Sequence, residues 1–276
     1  MKVPDVSIVI PLYNEAENLP ALAEQIRAAM KSVEQSYEVV LVDDGSSDGS
    51  LEVMRQLAAK DSRLRLVHLY RNSGQSAALS AGFDAARGKV IVTLDADLQN
   101  DPADVPLLLA ELRDCDMVAG VRSRRQDSWV RRMSSRVANG VRRRVLHDAA
   151  TDTGCSLKAF RTDAVRDLPR FVGMHRFLPA LVQLAGGSVK QVAVNHRPRL
   201  HGSPKYNIRN RLWRGVVDLL GVYWLQRRWI DRRLAGEVKV WPATRSGAPG
   251  SSSPGSPSSG PASTSRGPSP QENNRR

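Results

Sequence analysis

Val90-Ile-Val-Thr-Leu-Asp-Ala-Asp-Leu-Gln99 is an apolar, β-branched run that ends on two carboxylates, Asp95 and Asp97. Such a run reads as a buried strand, and alternate side chains of a strand point to one face. If the chain stays extended through Asp97, both carboxylates project into the crevice beyond the strand tip, where open α/β sheets bind ligands. Two carboxylates that close repel, and a divalent cation bridging to a phosphate relieves them. Taken alone, the same residues also describe a strand end, a polar turn and the Asp101-Pro102 start of a helix.

The surrounding chain has 276 residues and is 41% hydrophobic, enough for a sizeable core in one or two domains. Past Pro242 no core-forming pattern recurs. Residues 245–276 are almost wholly Ser, Pro, Gly and charge, which predicts a disordered tail. Residues 1–110 carry 10 Lys/Arg against 16 Asp/Glu, and residues 111–276 carry 31 against 12. An acidic front half followed by a basic back half suggests a metal-binding region and then surfaces for phosphate or an anionic membrane. Charge alone also admits nucleic acid.

Cys115 and Cys155 lack metal-site spacing and are expected as reduced thiols in a cytoplasmic protein. No signal-peptide pattern opens the sequence. The longest late apolar stretch, Val216 to Leu225, is about half of the roughly 20 residues that span a bilayer, and it contains Asp218.

In chain order, strands are predicted at Val6–Ile10, Tyr37–Val42, Arg65–Tyr70 and from Val90, with helices after Asn18, through Lys60, over Gln75–Ala86 and over Ala103–Arg113. This alternation implies right-handed βαβ crossovers and a largely parallel sheet with helices on both faces. The turns Pro11–Glu15, Asp43–Asp48, Arg71–Gly74 and Asp95–Gln99 then share one sheet edge. Each has an ordinary reading as turn or cap. Four polar turns at the ligand-binding edge read better as one site.

The ordered set Pro-Leu-Tyr-Asn-Glu, Asp-Asp-Gly-Ser-Ser-Asp, Arg-Asn-Ser-Gly-Gln, Ala-Gly-Phe-Asp-Ala-Ala-Arg-Gly and Leu-Asp-Ala-Asp-Leu-Gln resembles family 2 glycosyltransferases of the GT-A fold, in their polyprenyl-phosphate branch. The resemblance spans about residues 6–230 and implies a Rossmann-like α/β sheet. It implies that Pro11, Tyr13, Glu15, Val42 and Asp44 hold the base and ribose of a GDP- or UDP-linked sugar. It places Asp95, Ala96 and Asp97 at the diphosphate, with Asp97 and Gln99 as ligands of Mg²⁺ or Mn²⁺. Arg122 and Arg136 match arginines turned toward phosphate, which a guanidinium binds bidentately. The other arginines between Trp129 and Leu146 read as a solvated helix face.

Thr151–Phe160 resembles the family's acceptor segment, with Asp152 as its aspartate. For a sugar-hydroxyl acceptor Asp152 would act as general base. A phosphate acceptor, with a second pKa of about 6, is already ionised, and Asp152 would then orient it. Arg199-Leu-His-Gly-Ser-Pro-Lys-Tyr206 resembles the branch signature Arg-x-x-Gly-x-Ser-Lys-Tyr, which would bring Arg199 and Lys205 over the diphosphate. Pro204 stands where that signature has Ser.

Ile208 to Ile230 alternates apolar residues at helical spacing with Trp213, Trp224, Trp229 and several arginines, which suggests amphipathic helices on an anionic membrane surface. The expected organisation is a GT-A domain over 1–206, membrane-surface helices over 207–241 and a tail over 242–276. The expected activity is inverting transfer of a sugar to a polyprenyl phosphate, peripherally on the inner face of the cytoplasmic membrane. Transfer to a glycan hydroxyl is the alternative within the class. A non-catalytic anion- or membrane-binding protein is the alternative outside it. The intact Asp95, Asp97 and Gln99 argue against that non-catalytic reading, nucleic-acid binding included.

Overall fold

The first strand, β1 (Val6–Leu12), is buried at every position. A strand covered on both faces reads as a continuous apolar run, the mark of a parallel sheet packed between helices. The computed structural model describes residues 3–123, 140, 142–146, 148, 150–198 and 208–229, with side chains of the last segment from 215 onward. Its other strands are β2 (Tyr37–Asp43), β3 (Leu64–His68), β4 (Val90–Thr93), β5 (Met117–Arg122), β6 (Lys158–Arg161) and β7 (Val189–Val194). They form one seven-stranded sheet in the order β3-β2-β1-β4-β6-β5-β7. Every described pairing is parallel except the two made by β6. Six strands therefore end on one edge, and β6 begins there. The chain order reverses between β1 and β4, which is where open α/β sheets open their ligand crevice.

On one face pack α1 (Leu19–Ala29), α2 (Ser50–Lys60) and α4 (Val105–Glu111), burying Leu22, Ile26, Met54 and Leu108 against Ile8, Ile10 and Val92. On the other lie α3 (Gln75–Ala85), α5 (Thr162–Arg166), α6 (Leu178–Leu184) and α7 (Ile208–Arg228), around Phe83, Phe160, Leu181 and Val222. Each fully buried side chain of this kind contributes about 1.5–3 kcal/mol. The helix α7 belongs to the same compact unit as the sheet, a unit that closes at Arg232. Asp218 pairs with Arg176, and Gln226 donates to the Leu146 carbonyl. The tail over 242–276 lies outside the described residues.

Four details differ from the sequence reading. The strand from Val90 stops at Thr93, well before Asp97. A strand forms at Met117–Arg122 where none is predicted. Asn18 occupies the N-cap of α1, yet its amide donates to Glu15 Oε2 at 2.6 Å and does not cap the helix. Arg142 is buried, paired with Asp148 and donating to the Ala150 carbonyl, so it is no part of a solvated face. Burial lowers the affinity of that guanidinium for its proton and raises the Asp148 carboxyl, and each charge opposes the shift of the other.

The sheet and α3 approach closely at Gly82, where an added Cβ would overlap Val9 Cγ1 and lie 3.2 Å from Val42 Cγ2. Gly82→Val is expected to destabilise the fold by about 1–3 kcal/mol through overpacking. Gly221 on α7 faces open space, so Gly221→Ala is expected to stabilise by about 1 kcal/mol through helix propensity. Urea midpoints of the two variants, moving in opposite directions, check the packing.

Candidate active site

β1 and β2 end side by side with Leu12 opposite Asp43, so the turns after them form one wall. Asn14 N–H donates to Ser46 Oγ, and Ser47 N–H donates to Asn14 Oδ1, both at 2.8 Å. Glu15 N–H donates to Ser50 Oγ at 2.9 Å. Burial works against the ionised Asp48 carboxylate, but hydrogen bonds from Ser50 and Ala16 outweigh it and hold that carboxyl below its ordinary range. Gly45 sits at φ +69°, where a Cβ would stand 2.6 Å from the Arg71 carbonyl carbon, so the Asp-Asp-Gly sequence admits no side chain there.

Asp44 is 3% exposed, and its two oxygens accept the Ser73 and Gly74 N–H groups at 2.7 and 2.8 Å. It thus fixes the entry to α3 and brings the β3 turn against the β1 and β2 turns. Tyr13 and Glu15 stand half-buried beside it, and Pro11 is buried at the end of β1. Val42 differs from the expectation. Its side chain is fully buried beneath α3, on the face of β2 that it shares with Val40 and opposite Val39 and Leu41, so it presents no side chain to the edge.

Past β4 the ladder continues only as far as Leu94 N–H, which donates to the Val9 carbonyl at 3.2 Å. The chain then turns, with Leu98 at φ +59°. Ala96 and Leu98 drop into the core at 3% and 2% exposure, while Asp97 is itself buried at 8% and Asp95 stands half-buried. A turn with two apolar anchors, and not strand alternation, therefore sets where the two carboxylates stand. Asp95 Oδ1 accepts the Gln75 amide at 2.9 Å from the first turn of α3, and Asp97 Oδ1 accepts the Gln99 N–H at 3.2 Å.

The other side of the crevice comes from β5 and the chain entering β6. Asp152 takes Arg122 bidentately, Nε on Oδ2 at 2.7 Å and a terminal nitrogen on Oδ1 at 2.8 Å. The Gly154 N–H adds a 3.2 Å bond to Oδ1. Thr93 Oγ1 donates to the Ser156 carbonyl and Asn100 to Ser156 Oγ, each at 2.6 Å, so this turn is fastened to β4 and to the Asp97 turn. Beneath it Lys158, 3% exposed, donates to the Cys155 carbonyl. Burial depresses its amine, and the charges of Asp95 and Asp152 act in the opposite direction.

The structure thus brings Pro11, Tyr13, Glu15, Asp44, Asp95, Ala96, Asp97, Gln99, Arg122 and Asp152 to one edge. Arg136, Arg199, Pro204 and Lys205 lie outside the described residues. Gln75 and Lys158 are additions to the sequence reading. Gln75 closes the quoted Arg-Asn-Ser-Gly-Gln segment, and Lys158 opens a strand whose next two residues, Ala159 and Phe160, are fully buried on opposite faces.

Among the described residues no group of three His, Cys, Asp or Glu side chains is arranged to hold a metal. The donor set suits a hard cation of another kind. Mg²⁺ and Mn²⁺ are commonly held by one or two protein oxygens plus substrate phosphates and water, and Asp97 with Gln99 supplies that number.

With fold and site in place, the sequence profile of glycosyl transferase family 2 matches residues 7–169. The chain belongs to that family and is a glycosyltransferase. It is 40% identical over 229 residues to the dodecaprenyl-phosphate galacturonate synthase of Rhizobium johnstonii, covering 81% of this chain and 68% of that one. It is 41% identical over 205 residues to the undecaprenyl-phosphate 4-deoxy-4-formamido-L-arabinose transferase of Edwardsiella ictaluri, covering 74% of this chain and 63% of that one. It therefore spans about two thirds of the length of these relatives. Among solved structures, glucosyl-3-phosphoglycerate synthase from Mycobacterium tuberculosis, in complex with Mn²⁺, UDP-glucose and phosphoglyceric acid, shares the fold at a TM-score of 0.59 and 18% identity, over 83% of this chain and 82% of that one.

The Arg122–Asp152 pair makes a specific expectation. Asp152→Asn keeps the shape but removes the charge, a loss of about 1–3 kcal/mol for hydrogen bonds to a charged group. The kcat/KM for acceptor should fall roughly 10–100-fold, while donor-nucleotide affinity, measured by calorimetry, should stay within about twofold.

Proposed function

We propose that this glycosyltransferase moves a sugar, with inversion, from a UDP- or GDP-linked donor to a polyprenyl phosphate at a membrane surface. The observation that carries the reading is the commitment of Asp152 to Arg122. A carboxylate engaged bidentately by arginine is a weak base, whereas an arginine held in that way is well placed for a phosphate. A phosphate acceptor needs no base, being ionised at neutral pH given its second pKa of about 6. Both named relatives carry a polyprenyl phosphate in their own names.

In this reading Pro11, Tyr13, Glu15 and Asp44 shape the nucleotide end, and Asp95 with the backbone at Ala96 faces the diphosphate. Asp97 and Gln99 hold Mg²⁺ or Mn²⁺, which when bound neutralises charge on the departing diphosphate. Arg122, joined by Arg136, receives the acceptor phosphate, and Arg199 and Lys205 close on the donor.

The membrane side of the proposal draws on α7. Its inner face packs Leu219, Val222 and Tyr223 into the core, while Leu220 at 60% and Trp224 at 62% exposure stand outward with Val216 and Val217. Arg227 and Arg228 follow at its end. Among the described residues no helix is long and apolar enough to cross a membrane. An exposed apolar strip beside arginines suits a helix lying in the headgroup region.

A panel of UDP- and GDP-sugars, offered with Mn²⁺ and short polyprenyl phosphates, is expected to release nucleoside diphosphate for one donor–lipid pair. Release with a glycan and none with any lipid phosphate would overturn the acceptor assignment. Asp97→Ala should abolish that release, and metal-dependent turnover surviving in this variant would remove Asp97 from the metal site. The double variant Leu220→Ser, Trp224→Ser should lose at least about tenfold in binding to anionic vesicles. Sedimentation with the vesicles reads this loss, and unchanged sedimentation would place the membrane contact elsewhere.

A further inference from the structure

Leu98 lies between Asp97 and Gln99 in the left-handed region at φ +59°. A bulky residue adopts that conformation at a cost and keeps it only where its surroundings over-determine it. One constraint is burial, with Leu98 2% exposed in the core. The other is the segment after β7, which is distant in sequence and borders the turn. Arg197 N–H donates to the Gln99 carbonyl at 2.8 Å, and Asn100 and His196 form an antiparallel bridge. The Arg197 guanidinium pairs with Asp101 and donates to Gln25 Oε1 at 2.8 Å. Asn195 adds two bonds to the Asp104 carboxylate, from its N–H at 2.6 Å and its amide at 3.0 Å.

We propose that Arg197 is a positioning residue for the cation site. Its guanidinium, forked between Asp101 and Gln25, keeps its own N–H on the Gln99 carbonyl. That bond holds the Leu98 turn in the form that sets Gln99 beside the Asp97 carboxylate, where the Gln99 N–H already donates at 3.2 Å. Arg197 therefore governs cation affinity without touching the cation. The inference rests on the metal reading proposed above, and its test separates the two.

Mn²⁺ binding to the full chain, with UDP or GDP present and no acceptor, is followed by the electron paramagnetic resonance signal of free Mn²⁺. Arg197→Ala is expected to weaken Mn²⁺ binding about tenfold. Arg197→Lys, which keeps one charge but loses the fork, should fall between, and serves alone if the alanine variant does not fold. Asp101→Arg should weaken binding similarly, and Asp101→Arg combined with Arg197→Asp should recover to within about threefold of the native chain. Folded Arg197 variants that bind Mn²⁺ as the native chain does, while Asp97→Ala loses it, would overturn this inference and leave the metal reading standing. Native affinity in Asp97→Ala would overturn both. A lowered melting temperature with unchanged Mn²⁺ affinity would show that Arg197 is merely structural and would also overturn the proposal.

Discussion

Several carboxylates at one sheet edge repel one another, and much of this structure is arranged to give each a hydrogen-bonding partner. Asp44 is met by two backbone N–H groups at the entry to α3, Asp95 by the Gln75 amide and Asp152 by the Arg122 fork. Lys158 places a buried amine beneath the Asp95 and Asp152 side of the crevice. These partners come from the entry and first turn of α3, from β5 and from β6, so the edge holds together only when those elements are docked on the sheet. Asp97 is the carboxylate assigned to the cation, and the turn that carries it is braced by Ser156 on one side and Arg197 on the other through Asn100 and Gln99.

The reversed strand makes this possible. Were β6 parallel, the Thr151–Leu157 turn would lie at the opposite edge and Asp152 could not reach Arg122. Because β6 runs antiparallel to both β4 and β5, the chain enters it from the edge where those two strands end. Asp152 thereby fixes the Arg122 guanidinium, the group proposed to meet the acceptor phosphate. The same carboxylate, engaged as it is, serves poorly as a proton acceptor. The geometry thus favours an acceptor that brings its own negative oxygen.

Much of this was legible in the sequence because its signals are local. β1 and β2 are largely apolar, β-branched runs, and the four polar turns follow directly from the βα alternation. What escaped is non-local. Met117–Arg122 is short, holds Gly120 and runs into arginines, so it carries little strand signal, yet β6 and β7 pair with it on both sides. Strand direction has no signature in a single segment, which hid the reversal of β6. The end of β4 at Thr93 depends on Ala96 and Leu98 finding the core, and the burial of Arg142 depends on Asp148 and Ala150. Val42 belongs to the same class: that its side chain lies under α3 is decided by the packing of α3 over β2, which only the assembled fold provides.

The central claim is that the Asp95–Gln99 turn seats a metal-bridged diphosphate. Crystals grown with Mn²⁺ and UDP or GDP test it directly through the anomalous scattering of manganese. The account predicts one anomalous peak within coordination distance, about 2.0–2.3 Å, of an Asp97 carboxylate oxygen, bridging to both phosphates. A nucleotide bound with its diphosphate away from this turn, or a manganese peak that does not touch Asp97, would contradict it.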